Sequence, residues 1–153
     1  RSFEAQQYQA FHQQIEWALH YAIPVVIHSR QSIEQTIATV REHQKGKLSG
    51  IFHCFNEDEK SVQEIIGLGF YLGIGGTLTY KNSKLPEVLK NVPLENIVLE
   101  TDAPYLPPVP FRGKRNESSY LSYVASRLAE IKGIDIEEVA SITTANSLKI
   151  FAV

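Results

Sequence analysis

Hydrophobic positions along this chain follow two different periodicities. Apolar residues recur at three- and four-residue intervals in several segments, and short β-branched or aromatic runs separate these segments. The first pattern is typical of amphipathic helices, and the second is typical of short strands that are buried on both faces. The predicted strands are 25–27, 49–52, 70–74 and 97–99. One predicted helix covers 4–21, and five more carry Ile37, Ile65, Leu89, Leu128 and Ile142.

Local signals predict where several helices begin and end. Pro24 ends the first helix because proline cannot continue it. Asn56 followed three positions later by Glu59 is a capping-box pattern, which predicts the start of the third helix. The same pattern at Asp135 and Glu138 predicts the start of the last helix.

Strands that alternate with amphipathic helices predict an α/β fold with a parallel sheet. Four strands can form a small doubly wound sheet, whereas a complete (β/α)8 barrel needs eight strands and about 250 residues. No linker or repeat divides the chain, so residues 1–153 are interpreted as a single domain. If the fold belongs to a barrel, we expect a parallel (β/α) half-barrel whose strand edges need a second half for cover.

Composition restricts the possible partners and the location. The formal net charge is −2, so contact with nucleic acid requires a local basic patch or metal ions. The single cysteine, Cys54, cannot form an internal disulfide, which is typical of the reducing cytoplasm. The apolar runs are too short to span a membrane, and the first residues do not resemble a signal peptide. We therefore expect a cytoplasmic protein with no membrane partner.

Three of the predicted strands lead into residues that can bind metal: His28, His53 and Asp102. The carboxyl ends of parallel strands converge at one edge of the sheet, so these side chains are expected to lie near each other. Imidazole and carboxylate ligands suit Zn, Mn, Fe or Mg, and such an ion lowers the pKa of bound water. The alternative is that each is a hydrogen-bonded structural residue, and the strand pattern alone leaves both interpretations open.

A basic cluster follows the fourth strand, with Arg112, Lys114 and Arg115 close together. Its position on the side of the candidate site favours contact with phosphate, although a solvated loop is the alternative. Arg30, two residues after His28, is a further candidate for phosphate contact. Stacking on bases is considered for three tyrosines, of which the first is assigned to the core: Tyr71, Tyr80 and Tyr105.

Other polar residues are interpreted structurally. His12 and His20 on the first helix and His43 at the end of the second are all interpreted as solvated helix surface, and His43 also suits a helix C-terminus. Cys54 is interpreted as a small buried residue in preference to a catalytic thiol. The glycines within 73–76 lack dinucleotide-fingerprint spacing and indicate room for substrate or close backbone packing.

These strings, taken together and in this order, resemble the TatD family of metal-dependent deoxyribonucleases. The matching segments are 24–30, 53–55, 69–75, 99–105, 112–117 and 143–151. The resemblance implies an amidohydrolase-type (β/α)8 barrel that uses divalent ions, such as Mg, Mn or Zn, and holds two of them in the intact enzyme. It also implies hydrolysis of DNA phosphodiesters, often at single-stranded 3′ ends.

The same resemblance implies roles for individual residues. Carried over by position, His28 and His53 bind the second metal and Asp102 binds the first. Asp102 also orients or deprotonates the attacking water as general base. DNA is then the expected partner of Arg30, Arg112, Lys114 and Arg115.

The chain departs from the family pattern in one respect. Family members carry His-x-His on their first strand and a bridging glutamate on a later one, and His-x-His does not occur in this sequence. Methionine is also absent, which suggests a shortened chain. We therefore expect a missing N-terminal half of the barrel and little or no activity from these 153 residues alone. The alternatives are an amidohydrolase-like esterase or amidase with a non-nucleic substrate, and a truncated binding protein without catalysis.

Overall fold

Helices and strands alternate along the chain, as the periodicity predicts. The computed structural model describes residues 3–151. The helices within this range are α1 (Glu4–Tyr21), α2 (Ile33–His43), α3 (Glu59–Gly67), α4 (Leu85–Leu89), α5 (Leu121–Lys132) and α6 (Ile136–Phe151). The strands are β1 (Val25–Ile27), β2 (Gly50–Phe52), β3 (Tyr71–Ile74) and β4 (Ile97–Leu99). None of these helices has the length and apolar character needed to cross a membrane.

The four strands form one parallel sheet in the order β1-β2-β3-β4. The predicted α/β class with a parallel sheet is therefore confirmed. Ile27 pairs with Phe52, and Phe52 pairs with Leu72 in the next strand. Because every strand is parallel to its neighbour, all four carboxyl ends lie at the same edge of the sheet, which we call the carboxyl edge.

The two faces of the sheet have different partners. One face packs against helices and contributes to the main core, with side chains that are almost fully buried: Ile27, Phe52, Leu72, Ile74 and Ile97. On the opposite face, Ile51 and Val98 form a smaller cluster with Ile150 of α6, and half-buried Tyr71 packs against it. The assignment of Tyr71 to the core is thus confirmed. Since side chains alternate along a strand, His53 and Glu100 follow Ile51 and Val98 on this opposite face.

A buried asparagine anchors the last helix to the sheet. The Asn146 side-chain amide donates hydrogen bonds to the carbonyl oxygens of Leu94 and Ile97, both at 2.8 Å. Asn146 is 7% exposed, so its two hydrogen bonds are shielded from competing water. α6 is therefore held at the start of β4, the strand that leads to Glu100 and Asp102.

The predicted cap of α3 is wrong. Asp58 is the N-cap, and its Oδ1 accepts hydrogen bonds from the Ser61 backbone N–H at 2.9 Å and from the Ser61 hydroxyl at 2.8 Å. β2 ends at Phe52, but Phe55 is still buried against the sheet and its N–H donates to the Gly73 carbonyl. Asn56 therefore lies in the loop between β2 and α3, where it is exposed and free to contact a ligand.

Candidate metal centre at the carboxyl edge

His53 lies between two carboxylates just beyond the end of β2. Its Nδ1 is 2.7 Å from Oε1 of Glu100, and its Nε2 is 3.3 Å from Oδ1 of Asp102. The side chains of His53 and Glu100 are 20% and 17% exposed, whereas that of Asp102 is 39% exposed. The short contact with Glu100 assigns a proton to Nδ1, which leaves Nε2 as the ring atom that can bind a metal beside Asp102.

The backbone around His53 is shaped to hold Glu100. Cys54 has a left-handed conformation, with φ of 49°, and its N–H donates to Glu100 Oε1 at 2.6 Å. A Cβ atom on Gly73 would lie 2.3 Å from Glu100 Oε2, so only glycine leaves room for the carboxylate. The pKa of the Glu100 carboxyl is raised above its ordinary value. Burial is the main cause, and the charge and hydrogen bond of His53 offset part of the rise. The glycines within 73–76 were expected to leave room for substrate or for close backbone packing. At Gly73 the Glu100 carboxylate occupies this room instead.

His28 occupies the equivalent position beyond β1. Its ring centroid lies 5.9 Å from that of His53, and the residue is exposed. Within residues 3–151, no group of three or more His, Cys, Asp or Glu side chains is arranged around one common metal position. The structure therefore brings His53 close to Asp102 and to His28, but it does not gather all three around a single point.

The donor atoms present are compatible with a metal ion. Two ligand atoms at about 2.0–2.1 Å from a tetrahedral zinc ion lie roughly 3.3 Å apart. Nε2 of His53 and Oδ1 of Asp102 have this separation of 3.3 Å. Imidazole and carboxylate together suit Zn or Mn, and the buried Glu100 on the far side of the ring is the usual partner that orients a ligating histidine. His53 and Asp102 can therefore supply part of the coordination shell of one metal ion.

Comparison with known proteins decides the family. The model of the family described as TatD related DNase matches residues 1–152. The chain belongs to the TatD-related DNase family. YabD of Bacillus subtilis, named an uncharacterized metal-dependent hydrolase, is 42% identical over 148 residues, which is 96% of this chain and 58% of YabD. YcfH of Escherichia coli K12, named in the same way, is 39% identical over 129 residues, which is 84% of this chain and 49% of YcfH.

A solved structure agrees with this assignment. YjjV, a TatD homologue from Escherichia coli K12, superposes with a TM-score of 0.86 at 30% identity, over 92% of this chain and 54% of YjjV. This chain therefore spans about half the length of the TatD relatives that it matches. YabD and YcfH are both named metal-dependent hydrolases, which supports the use of divalent metal in this family.

Cys54 is poorly suited to nucleophilic catalysis. Burial raises the pKa of its thiol to about 11, and the nearby charges of Glu100 and Asp102 contribute to the rise. A thiol with this pKa is almost entirely protonated near neutral pH, and the thiolate is the reactive form. The interpretation of Cys54 as a partly buried structural residue therefore agrees with its position.

We expect slow alkylation of Cys54 by iodoacetamide near neutral pH. A pKa of about 11, compared with the ordinary value of 9.0, leaves about a hundredfold less thiolate at pH 7.5. The rate, followed by mass spectrometry, should rise about tenfold per pH unit up to pH 10. The chain unfolded in urea is the control, and its rate should level off near pH 9, since burial and the two carboxylates no longer act. A rate in the folded protein that levels off at or below pH 9 would contradict the raised pKa.

The basic candidates have different surroundings. The guanidinium carbon of Arg112 lies 4.0 Å above the centre of the Tyr80 ring, a cation–π contact. Arg30, Lys114 and Arg115 are exposed on the loops that follow β1 and β4. The structure thus places Arg30 near the carboxyl edge and the other three in the loop that follows Asp102.

The predicted solvent exposure of His12 and His43 is wrong, although His43 does end α2 as expected. His12 and His43 are half-buried, and Nδ1 of His12 lies 2.6 Å from Nε2 of His43. The two ring nitrogens are thus within hydrogen-bond distance of each other. α1 and α2 pack side by side, so a residue that is polar in the helical pattern finds a partner 31 positions away. His20 is exposed, as predicted.

Two residues of the site region were not singled out from the sequence. Glu100 had a sequence signal, since it lies two positions before Asp102 and therefore on the same face of its strand. Asn116 had none, because it is an asparagine within a basic loop. It is 3% exposed, and its side chain donates a hydrogen bond to the Tyr105 carbonyl at 2.7 Å. This bond holds the segment 112–116, which carries the basic cluster, against the segment 103–110.

Proposed function

We propose that this chain contributes half of the active site of a divalent-metal-dependent hydrolase that cleaves DNA phosphodiester bonds. The observation that carries the proposal is the His53 ring, held by Glu100 with its other nitrogen beside Asp102. The family assignment supports metal-dependent hydrolysis, and the basic loop beyond β4 supports an anionic substrate. A divalent ion bound here, whether Mg, Mn or Zn, would lower the pKa of water and polarise the phosphoryl group.

The residues of this chain then have distinct tasks. His53 and Asp102 hold one part of the metal centre, and His28 extends it toward β1. Glu100 is a positioning residue, because its carboxylate fixes the His53 ring and its tautomer. Asp102, which is more exposed than Glu100, also orients the attacking water and accepts its proton as general base.

The sheet supports a further part of the proposal, that it is the C-terminal half of a (β/α)8 barrel. β1 and β4 are the edges of the sheet within residues 3–151, and Val26 of β1 is 57% exposed. Open parallel edges and an exposed apolar side chain on an edge strand are typical of a sheet that continues into further strands. Since the relatives are about twice as long, we expect hydrolysis to require the part of their length that this chain does not span.

The test compares a protein of the relatives' full length with the 153-residue chain. Single-stranded DNA with a 3′ fluorophore is incubated with Mg, Mn or Zn, and cleavage is followed by gel electrophoresis. We expect metal-dependent cleavage by the long protein that is lost with EDTA and restored by added metal, and little or none by the short chain. A long protein that hydrolyses a phosphotriester or a lactone but not DNA would show a non-nucleic substrate. Binding without hydrolysis of any of these would show a non-catalytic protein.

A further inference from the structure

An open cavity of about 330 Å³, lined by residues with polar or charged side chains, lies in the loops of the carboxyl edge. Its lining includes two cations, Lys81 and Arg112, and two amides, Asn56 and Asn82. The remaining lining side chains carry hydroxyl groups, and no carboxylate is present among the described residues that line the cavity. A cavity of this volume is large enough for a small ligand, and a lining of cations, amides and hydroxyls suits an anion.

The cavity and the candidate metal centre share the same loops. Asn56 follows His53 in the loop after β2, and Arg112 follows Asp102 in the loop after β4. The third wall is 77–83, directly after β3. Because the carboxyl ends of adjacent parallel strands lie side by side, a ligand in the cavity is a neighbour of one at His53 and Asp102.

Hydrogen bonds between the loop after β3 and the loop after β4 fix Tyr80, the residue on which Arg112 stacks. The Thr79 hydroxyl oxygen accepts from the Val109 N–H at 2.8 Å, and the Tyr80 hydroxyl donates to the Pro107 carbonyl at 3.1 Å. A Cβ atom on Gly76 would lie 2.2 Å from the Leu106 carbonyl oxygen, so the loops after β3 and β4 are in direct backbone contact. The Tyr80 ring therefore has a defined position for the guanidinium that rests on it.

Arg112 is prepared to bind an anion. Its guanidinium is stacked on Tyr80 and makes no ion pair with a carboxylate in the part of the chain that the structure describes. Stacking restrains the plane of the group while its N–H edge stays available for phosphate oxygens. Lys81 likewise has no acidic partner among residues 3–151. Both cations therefore remain available to an anionic ligand in the cavity.

A hydroxyl group beside the cavity also lacks a partner. Thr77 lines the cavity, and its Oγ1 is buried without a hydrogen bond in the described part of the chain. Buried hydroxyl groups nearly always have a hydrogen-bond partner, so an unpartnered one marks a place where a ligand or water is expected.

We propose that this cavity binds a second phosphate group of the DNA strand, adjacent to the phosphodiester at the metal centre. This proposal rests on the proposed function and makes it more specific, because the substrate must then carry at least two phosphates. Arg112 and Lys81 donate charged hydrogen bonds to the phosphate oxygens, and the amides of Asn56 and Asn82 complete the site. Contacts of this kind position a strand without reading its sequence.

The test measures binding in the absence of cleavage. A protein of the relatives' full length is titrated in EDTA with d(TpT), d(pTpT), d(TpTp) and inorganic phosphate. Affinities are taken from calorimetry and from NMR shifts of the 77–83 amides. One terminal phosphate should tighten binding about tenfold relative to d(TpT), since one charged hydrogen-bonded group contributes about 1.4 kcal/mol or more. That phosphate should shift the 77–83 amides, and inorganic phosphate should bind more weakly than the phosphorylated dinucleotide.

Three variants distinguish direct contact with the phosphate from the general electrostatic attraction of nearby cations. A terminal phosphate should tighten binding by only about threefold or less in Arg112→Gln and in Lys81→Gln. Lys84→Gln is the matched control, because Lys84 is exposed, lies close in sequence and does not line the cavity, so the gain should persist. Circular dichroism verifies the fold, and Lys81→Gln, an exposed position, carries the test if Arg112→Gln unfolds.

Several results would overturn the site. These are no gain from either terminal phosphate, a gain that both variants retain, or an equal loss in Lys84→Gln. Inorganic phosphate binding as tightly as the phosphorylated dinucleotide would show a free-phosphate site instead of a strand site. Binding with the expected gain but no metal-dependent cleavage would refute the proposed hydrolysis and leave the phosphate site. Cleavage without the gain would do the reverse.

Discussion

Replacing Asp102 with alanine should lower DNA hydrolysis by roughly a thousandfold or more in a protein of the relatives' full length. The substitution removes a proposed metal ligand, which is also the group proposed to accept the proton from water. The side chain is 39% exposed and its closest ionic contact is His53 at 3.3 Å, so the fold should survive. kcat on single-stranded DNA, Mn affinity from calorimetry and the thermal midpoint are the three measurements.

Two further variants make the Asp102 result specific. Asp102→Asn keeps the shape of the side chain but lacks the charge, and it should also lose most turnover. Glu117→Gln is the matched control, because Glu117 is an exposed carboxylate in the same loop and lies away from His53. Turnover retained in Asp102→Ala, or lost equally in Glu117→Gln, would remove Asp102 from the proposed mechanism.

Replacing Gly73 with alanine is the second change expected to have a large effect. The new methyl group would lie 2.3 Å from Glu100 Oε2 and 3.1 Å from the Ile51 side chain, so the Glu100 carboxylate must move. His53 then loses the partner that orients its ring. Disturbing such a partner typically costs 10- to 100-fold in metal affinity or activity, so losses of about that size are expected. The stability cost should be smaller, about 1–3 kcal/mol, since side chains give way more easily than backbone.

Gly67→Ala is the control for Gly73→Ala, because a Cβ atom at this position of α3 meets nothing within 4 Å. It should leave metal affinity and activity unchanged. Glu100→Asp, which shortens the carboxyl side chain by one methylene, tests the cause. If displaced Glu100 is responsible, Glu100→Asp should be less harmful in the Gly73→Ala background than alone. Additive effects in this double-mutant cycle would show that Gly73 acts by another route.

The element pattern was predictable because it depends on short-range periodicity. β1 and β4 are apolar three-residue runs, and such runs are typical of strands in a parallel sheet, although the expected burial on both faces fails at Val26 of β1, which is 57% exposed. The order of strands and helices then predicted a parallel sheet, which is confirmed. The cap of α3 was misplaced because Asn56 and Asp58 are both good caps, and only the folded structure shows that the Asp58 carboxylate accepts from Ser61.

By itself, the sequence determined which residues stand beyond the carboxyl ends of the strands, since strand direction and alternation place His28, His53 and Asp102 there. Only the tertiary structure decided how these residues are supported. The Cys54 N–H and the Glu100 carboxylate that accepts it are 46 positions apart, and His12 and His43 are 31 apart. No spacing rule connects residues at such distances, because their contact depends on how two elements pack. The Tyr80–Arg112 wall of the cavity arises in the same way, from two loops that meet only in the folded chain.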